Sequence, residues 1–260
     1  MKKLLALFLA IVFLYFTNRT LTSCSKDDFI MQNCTAMGTL LGEGRVCTDE
    51  NLIYNIVSGE TGAGIEPGTR VMIVCDVLAG TRGTTDEFDV RADRIEIPLS
   101  GVPLMASSFD ASSFTDAIGV SDAWISGGYL NLYCVWIGRR NSSLTHRTEL
   151  LYDDVREDRD TAAFVLVHDG MGEGFYENTE SASDLTPVYK IATFPIQDLI
   201  HDGNVAVKLT FTWHVTDGQY IYPQTESRSM IYSLPSSGTG AASSEPSTKA
   251  IISPLTTLLP

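Results

Sequence analysis

From Val205 onward every second residue is apolar. Val205, Val207, Leu209, Phe211, Trp213 and Val215 alternate with Ala206, Lys208, Thr210, Thr212 and His214. A side-chain period of two, apolar to one side and polar to the other, is what a sheet with one wet face requires. Leu130, Leu132, Cys134 and Trp136 repeat the pattern, and residues 148–152, 164–168 and 189–194 supply further strands. Turn-rich clusters separate these runs, so residues 120–235 read as an antiparallel β-sandwich. Only residues 196–200 have the pattern of a helical turn.

The first half carries shorter runs with denser turn punctuation. Residues 36–41 stop at Gly42-Glu43-Gly44, and Arg45-Val46-Cys47 meets the turn Thr48-Asp49-Glu50-Asn51 before residues 52–57. A glycine-rich loop, 58–68, precedes a largely apolar strand at 70–77 and an alternating one at 88–97. Five short strands in so few residues indicate a small barrel such as an OB-fold over 33–105. Residues 106–119, small and polar without a sustained period, read as a linker, and the Ser/Thr/Gly/Pro-rich stretch 236–260 as a disordered tail. The fold class is therefore all-β: a small OB-like barrel followed by an antiparallel sandwich.

The N-terminus has a different logic. Lys2 and Lys3 precede an unbroken apolar run, 4–16, and then Leu21-Thr22-Ser23-Cys24. A positive region, a short hydrophobic region and small residues before a cysteine form a bacterial lipoprotein signal, 1–23, with Cys24 the residue acylated after cleavage. The alternative is an ordinary secretory signal with a chance cysteine. The run is too short to span a bilayer, which takes about 20 residues. Residues 24–32 then serve as a tether.

The formal net charge is −14, and loss of Lys2, Lys3 and Arg19 with the leader leaves the remainder more acidic still. Such a surface argues against nucleic acid, whose phosphates need clustered Lys and Arg. It also repels anionic lipid, so acyl chains on Cys24 would make the membrane attachment. Cys34, Cys47, Cys75 and Cys134 show no C-x-x-C spacing, which removes zinc and redox motifs. Export permits disulfides, but each cysteine lies in or beside an apolar run, which favours free thiols.

Catalytic patterns are absent. His146, His168, His201 and His214 form no metal-ligand spacing, and His168 and His214 read as solvent-face histidines on strands. No G-x-S-x-G elbow surrounds any serine. The run His168-Asp169-Gly170-Met171-Gly172-Glu173-Gly174 lacks the ligand spacing of a calcium loop and reads as a hairpin loop. The acidic run 153–160 reads as a solvated loop. Trp124, Trp136, Trp213 and Tyr133 are either core or a stacking platform for sugars. The glycine-rich loops 59–68 and 168–174 are the candidates for partner contact, since binding residues concentrate on loops held by rigid sheets.

The stretch Trp124-Ile125-Ser126-Gly127-Gly128-Tyr129-Leu130-Asn131-Leu132 resembles the NigD-like lipoproteins, which carry such a string at the start of their C-terminal domain. The likeness extends to His146 and the strand after it, to Cys34, to the Asp49-Glu50 turn and to Gly68-Thr69-Arg70-Val71, over residues 33–215. The serine-rich tail and a longer 59–68 loop depart from it. The resemblance implies an OB-like domain and an immunoglobulin-like sandwich in an outer-membrane lipoprotein, with no known enzyme activity and no catalytic residues to carry over; the residue spacing itself leads to the expectation of no metal and no cofactor. It also implies that Lys26, Asp27 and Asp28 after Cys24 form a surface-export signal, and that Asp160-Thr161-Ala162 is an acceptor for O-glycosylation at Thr161. The expected role is a surface-exposed binding or accessory module for a glycan, a peptide or another envelope protein; the alternative is a structural or assembly component of an envelope complex.

Overall fold

The structure is a computed structural model that describes residues 29–42, 44–79, 86–139, 142–153, 161–173, 185–200, 204–216 and 221–233. The described residues are nearly all strand. β1 (Phe29–Gly42), β2 (Arg45–Thr48), β3 (Ile53–Gly59), β4 (Arg70–Leu78) and β5 (Glu87–Glu96) close into a barrel in the order β1-β2-β3-β5-β4. Alternate residues of each strand turn inward. Leu40, Val46, Val71, Ile73, Val77, Val90 and Ala92 fill the interior, with Cys75 among them. The five strands read from the sequence are these five.

The remaining strands are β6 (Leu99–Ser100), β7 (Leu104–Met105), β8 (Gly119–Ser126), β9 (Tyr129–Arg139), β10 (Arg147–Tyr152), β11 (Thr161–Asp169), β12 (Leu185–Pro195), β13 (Asn204–Thr216) and β14 (Ile221–Ser233). They build two facing sheets, β14-β13-β11-β10-β7 and β6-β12-β9-β8. Leu150, Phe164, Leu166, Leu209 and Phe211 from the first sheet meet Leu130, Leu132, Cys134 and Phe194 from the second in one dry core. The alternation along β9 and β13 therefore marks the core-facing side, as the sequence pattern indicates. Trp213 continues the row at the sandwich edge, half-buried; Gly119 leaves its space, since a Cβ there would sit 3.0 Å from Trp213 Cε3.

Two readings shift. Antiparallel pairs dominate the sandwich, but β11 pairs β13 in parallel, and the short β6 and β7 lie parallel to β12 and β10. The domain limits also move. β1 starts at Phe29, inside the expected tether, and Leu99–Ser100 and Leu104–Met105, assigned to the barrel, already pair with sandwich strands. The stretch 106–119 is not a free linker. A 3-10 turn at Ala106–Ser108 leads to Phe109 packed on Phe114, and Ala117 and Ile118 are buried in or beside the sandwich. Small polar residues hid this because a few apolar anchors, not a period, fix the segment.

Candidate functional site: an interdomain joint and a buried histidine pair

The W-I-S-G-G-Y-L-N-L string divides its side chains between two tasks. Leu130 and Leu132 point into the sandwich core and are fully buried. Trp124 and Tyr133 point the other way, toward the barrel. There they stack at 5.4 Å and pack with Ile191 against Met37 and Met72, which are register partners on the outer face of β1 and β4. Met72 would be exposed on an isolated barrel; against the sandwich its exposure is 0%.

The polar residues of the string finish the joint. Arg70, at the start of β4, lays its guanidinium 3.8 Å over the Tyr129 ring and grips Asp49 with two bonds of 2.9 and 2.8 Å. Its other N–H groups donate to Asn131 Oδ1 at 3.0 Å and to Thr193 Oγ1 at 2.9 Å. Thr193 in turn donates to Asn131 Oδ1, Asn131 Nδ2 donates to Ser126, and Ser126 donates to Asp49. The loop is closed: the arginine fork, the carboxylate, the amide and both hydroxyls all have partners. A planar fork matched to a carboxylate gives both strength and a fixed orientation. Gly127, at φ +55°, lets the β8–β9 turn approach Asp49; a Cβ there would come within 2.6 Å of its carboxylate oxygen.

A second polar cluster closes one end of the sandwich. His168, on β11, is in phase with Ala162, Phe164 and Leu166 and is 1% exposed, so it faces inward and not the solvent, as its strand position first suggested. The phase of the alternation carried that signal. His168 lies against Trp136 on β9, and His146, just before β10, stacks on the same indole with ring centres 5.5 Å apart. His168 Nδ1 is 3.1 Å from the Ala117 carbonyl, His168 Nε2 is 3.1 Å from His146 Nδ1, and His146 Nε2 is 3.0 Å from Glu173 Oε2. Glu173 also accepts the Arg139 N–H at 3.2 Å.

The hydrogen-bond partners assign the protons. Ala117 O only accepts, so His168 carries its proton on Nδ1 and Nε2 is left as an acceptor. Nδ1 of His146 must then donate. Nε2 of His146 lies against the Glu173 carboxylate, where this chain of contacts ends. Burial pushes the His168 ring down to about 4, and the neighbouring His146 adds to it, so His168 is neutral at pH 7. Burial opposes the charge on Glu173, but hydrogen bonds from Ser142, His146 and the Arg139 N–H outweigh it and hold the carboxyl below the usual glutamate range. All four ring nitrogens have protein partners. No cluster of metal-ligand residues occurs among the described residues.

The other carboxylates of this loop also turn onto the protein. Asp169 pairs with Arg147 and accepts the Met171 N–H at 2.8 Å; Asp116 accepts the Gly170 N–H at 2.6 Å. The loop 59–68 folds back likewise, with Glu60 accepting the Ile95 N–H at 3.1 Å. Thr161 opens β11 opposite Ala206. Cys34, Cys47, Cys75 and Cys134 are free thiols. Cys24, Lys26, Asp27, Asp28, Asp160, His201 and the tail lie outside the described residues, as does the His214 side chain.

Residues 101–224 match the family described as NigD-like C-terminal beta sandwich domain. The fold is similar to a NigD-like immunity protein from Bacteroides caccae, with a TM-score of 0.57 and 15% identity, covering 80% of this chain and 99% of that one. It is also similar to a protein of unknown function, DUF1344, from Bacteroides vulgatus, with a TM-score of 0.53 and 17% identity, covering 82% and 95%. At these identities the likeness establishes the fold, and its coverage takes in barrel and sandwich together. No curated protein matches the chain.

Proposed function

This chain is NigD-like, with that family's C-terminal β-sandwich over residues 101–224, and from that premise we propose that it is a non-catalytic, lipid-anchored protein of the bacterial outer membrane that binds a protein partner at the cell surface. The observation that carries the reading is where the polar chemistry goes. The Arg70–Asp49–Asn131 network fastens barrel to sandwich, and the histidine pair is closed on itself. Among the described residues these are the most convergent polar groups, and both are fully paired within the protein. A binding role needs a rigid scaffold and exposed loops, which this arrangement supplies.

A protein partner is favoured over a glycan. Sugar platforms need exposed rings, and Trp124, Trp136 and Trp213 are all packed: on the barrel, under the two histidines and at the sandwich edge. The Bacteroides caccae neighbour is named an immunity protein and the Bacteroides vulgatus one a protein of unknown function; neither name specifies a reaction. The leader and Cys24 support the anchor, Lys26, Asp27 and Asp28 support surface export, and Thr161 is the proposed glycosylated residue.

The test is a fractionation followed by a capture. Two or more acyl chains give stable attachment where one is marginal, so wild type should stay in the membrane fraction and Cys24→Ala should leave it. Equal retention of both overturns the anchor. Crosslinking on intact cells should recover a defined protein with the wild type, and a glycan array run beside it should stay blank. Binding on the array with no protein crosslinked overturns the protein-partner reading.

A further inference from the structure

Cys34 and Cys75 are direct register partners in the antiparallel pair β1–β4. Paired residues of such strands point to the same face, with Cα atoms about 4.5–5.5 Å apart. That separation lies within the roughly 4.4–6.8 Å window that a disulfide spans without backbone movement. Both side chains face the barrel interior: Cys75 is a buried member of that core and Cys34 packs against it at the half-exposed end of β1. Among the described residues the other two thiols, Cys47 and Cys134, have no such neighbour. Cys47 lies opposite Thr39 and Ile53, and Cys134 opposite Val120 and Lys190.

The backbone around the pair is pinned. The Asn33 N–H donates to Asp76 Oδ1 at 2.8 Å, and Asp76 is held in turn by Arg91, which covers the Phe29 ring at 4.9 Å. Asn33, at φ +53°, sits at a register shift between Met31 and Cys34, and beyond that shift the ladder runs without a break to Thr39. The irregularity sets Cys34 opposite Cys75.

We propose that Cys34 and Cys75 form a disulfide that ties the first barrel strand to the fourth when the protein meets an oxidising compartment, and that the free thiols are its reduced form. Its occurrence in the cell rests on the export reading above. The oxidant is a small or protein disulfide of the glutathione-disulfide or dithiol-oxidase class. Cys34, the more accessible thiol, attacks one oxidant sulfur as its thiolate; a mixed disulfide forms and one oxidant thiol leaves. Cys75 then attacks Sγ of Cys34, forming the intramolecular bond and expelling the second thiol. Two electrons pass to the oxidant disulfide, and the two protons given up by Cys34 and Cys75 end on its sulfurs, so it leaves as two thiols. Burial raises both thiols, Cys75 to about 12, so the closing step awaits a transient opening of β1 and is slow. Once formed, the bond closes a long loop, 34–75, which lowers the conformational entropy of the unfolded chain and so favours the fold.

The experiment has two arms. In the first, the purified full chain is reduced, equilibrated with glutathione and glutathione disulfide, alkylated and mapped by peptide mass. The expected result is one linked pair, Cys34 with Cys75, while Cys47 and Cys134 are alkylated after unfolding. Its urea midpoint should fall when reductant is added, and that of Cys34→Ser should not change; this variant replaces the half-exposed cysteine and leaves Cys75 in the core. Alkylation of both Cys34 and Cys75 after oxidation, or a bond from either to a different cysteine, overturns the proposal. In the second arm, intact cells are quenched with N-ethylmaleimide before the same mapping. A linked pair there supports both readings. A pair that links in the glutathione buffer but is fully alkylated in cells leaves the geometry standing and overturns the export reading.

Discussion

Lowering the pH from 7 to 5 should destabilise the sandwich through one ring. His168 is neutral when folded and titrates near 4, whereas the free side chain titrates near 6.5. Below pH 6.5 the unfolded chain takes up a proton there that the folded chain refuses. The stability contributed by the neutral ring is thus whole above about pH 6.5 and is lost as the pH falls toward 4. At pH 5 the unfolded ring lies about 1.5 units below its midpoint while the folded one remains largely unprotonated, and at about 1.4 kcal/mol per unit the loss is about 2 kcal/mol. Urea denaturation of wild type and His168→Gln at both pH values isolates the term, since glutamine keeps a donor for the Ala117 carbonyl and does not titrate. Wild type should lose about 2 kcal/mol more than the variant between pH 7 and 5. Ring resonances read the group directly: His168 should keep the spectrum of a neutral Nδ1–H tautomer down to about pH 5. A ring midpoint near 6.5, or equal losses in both proteins, refutes the reasoning.

Two further outcomes follow from the joint. Arg70→Ala leaves the Asp49 carboxylate buried without its cation, and breaking such a pair typically costs about 3–5 kcal/mol; a loss below about 1 kcal/mol by urea denaturation would show that the network does not hold the domains. Gly127→Ala drives a Cβ into a carboxylate that Arg70 prevents from moving, whereas Gly64→Ala meets nothing within 4 Å although it too has a positive φ. Thermal melts should rank Gly127→Ala clearly below Gly64→Ala, since both variants carry the roughly 1–2 kcal/mol of a left-handed backbone and only Gly127→Ala adds the clash; equal melts would mean that the turn is not wedged against Asp49.

The strands and the faces they bury were legible in the sequence, because a period of two is a local property and the core selects it directly. Leu130, Leu132, Cys134 and Trp136 read correctly as one face, as did Val205 to Phe211. His168 was equally legible in principle, since it follows Ala162, Phe164 and Leu166 in step; its polarity drew the reading to the solvent side. Sequence could also single out Trp124 to Leu132 as unusual. It could not show what the string is for, because that depends on Arg70 and Asp49, which reach it only when the barrel docks on the sandwich. Long-range pairing decided the rest: the parallel neighbours of β11 and β13, the early entry of residues 99–105 into the sandwich, and the placing of Cys34 opposite Cys75. Hydrophobic alternation states which way a side chain points. Which other chain segment it then meets is set by register and domain packing, and those are properties of the assembled fold.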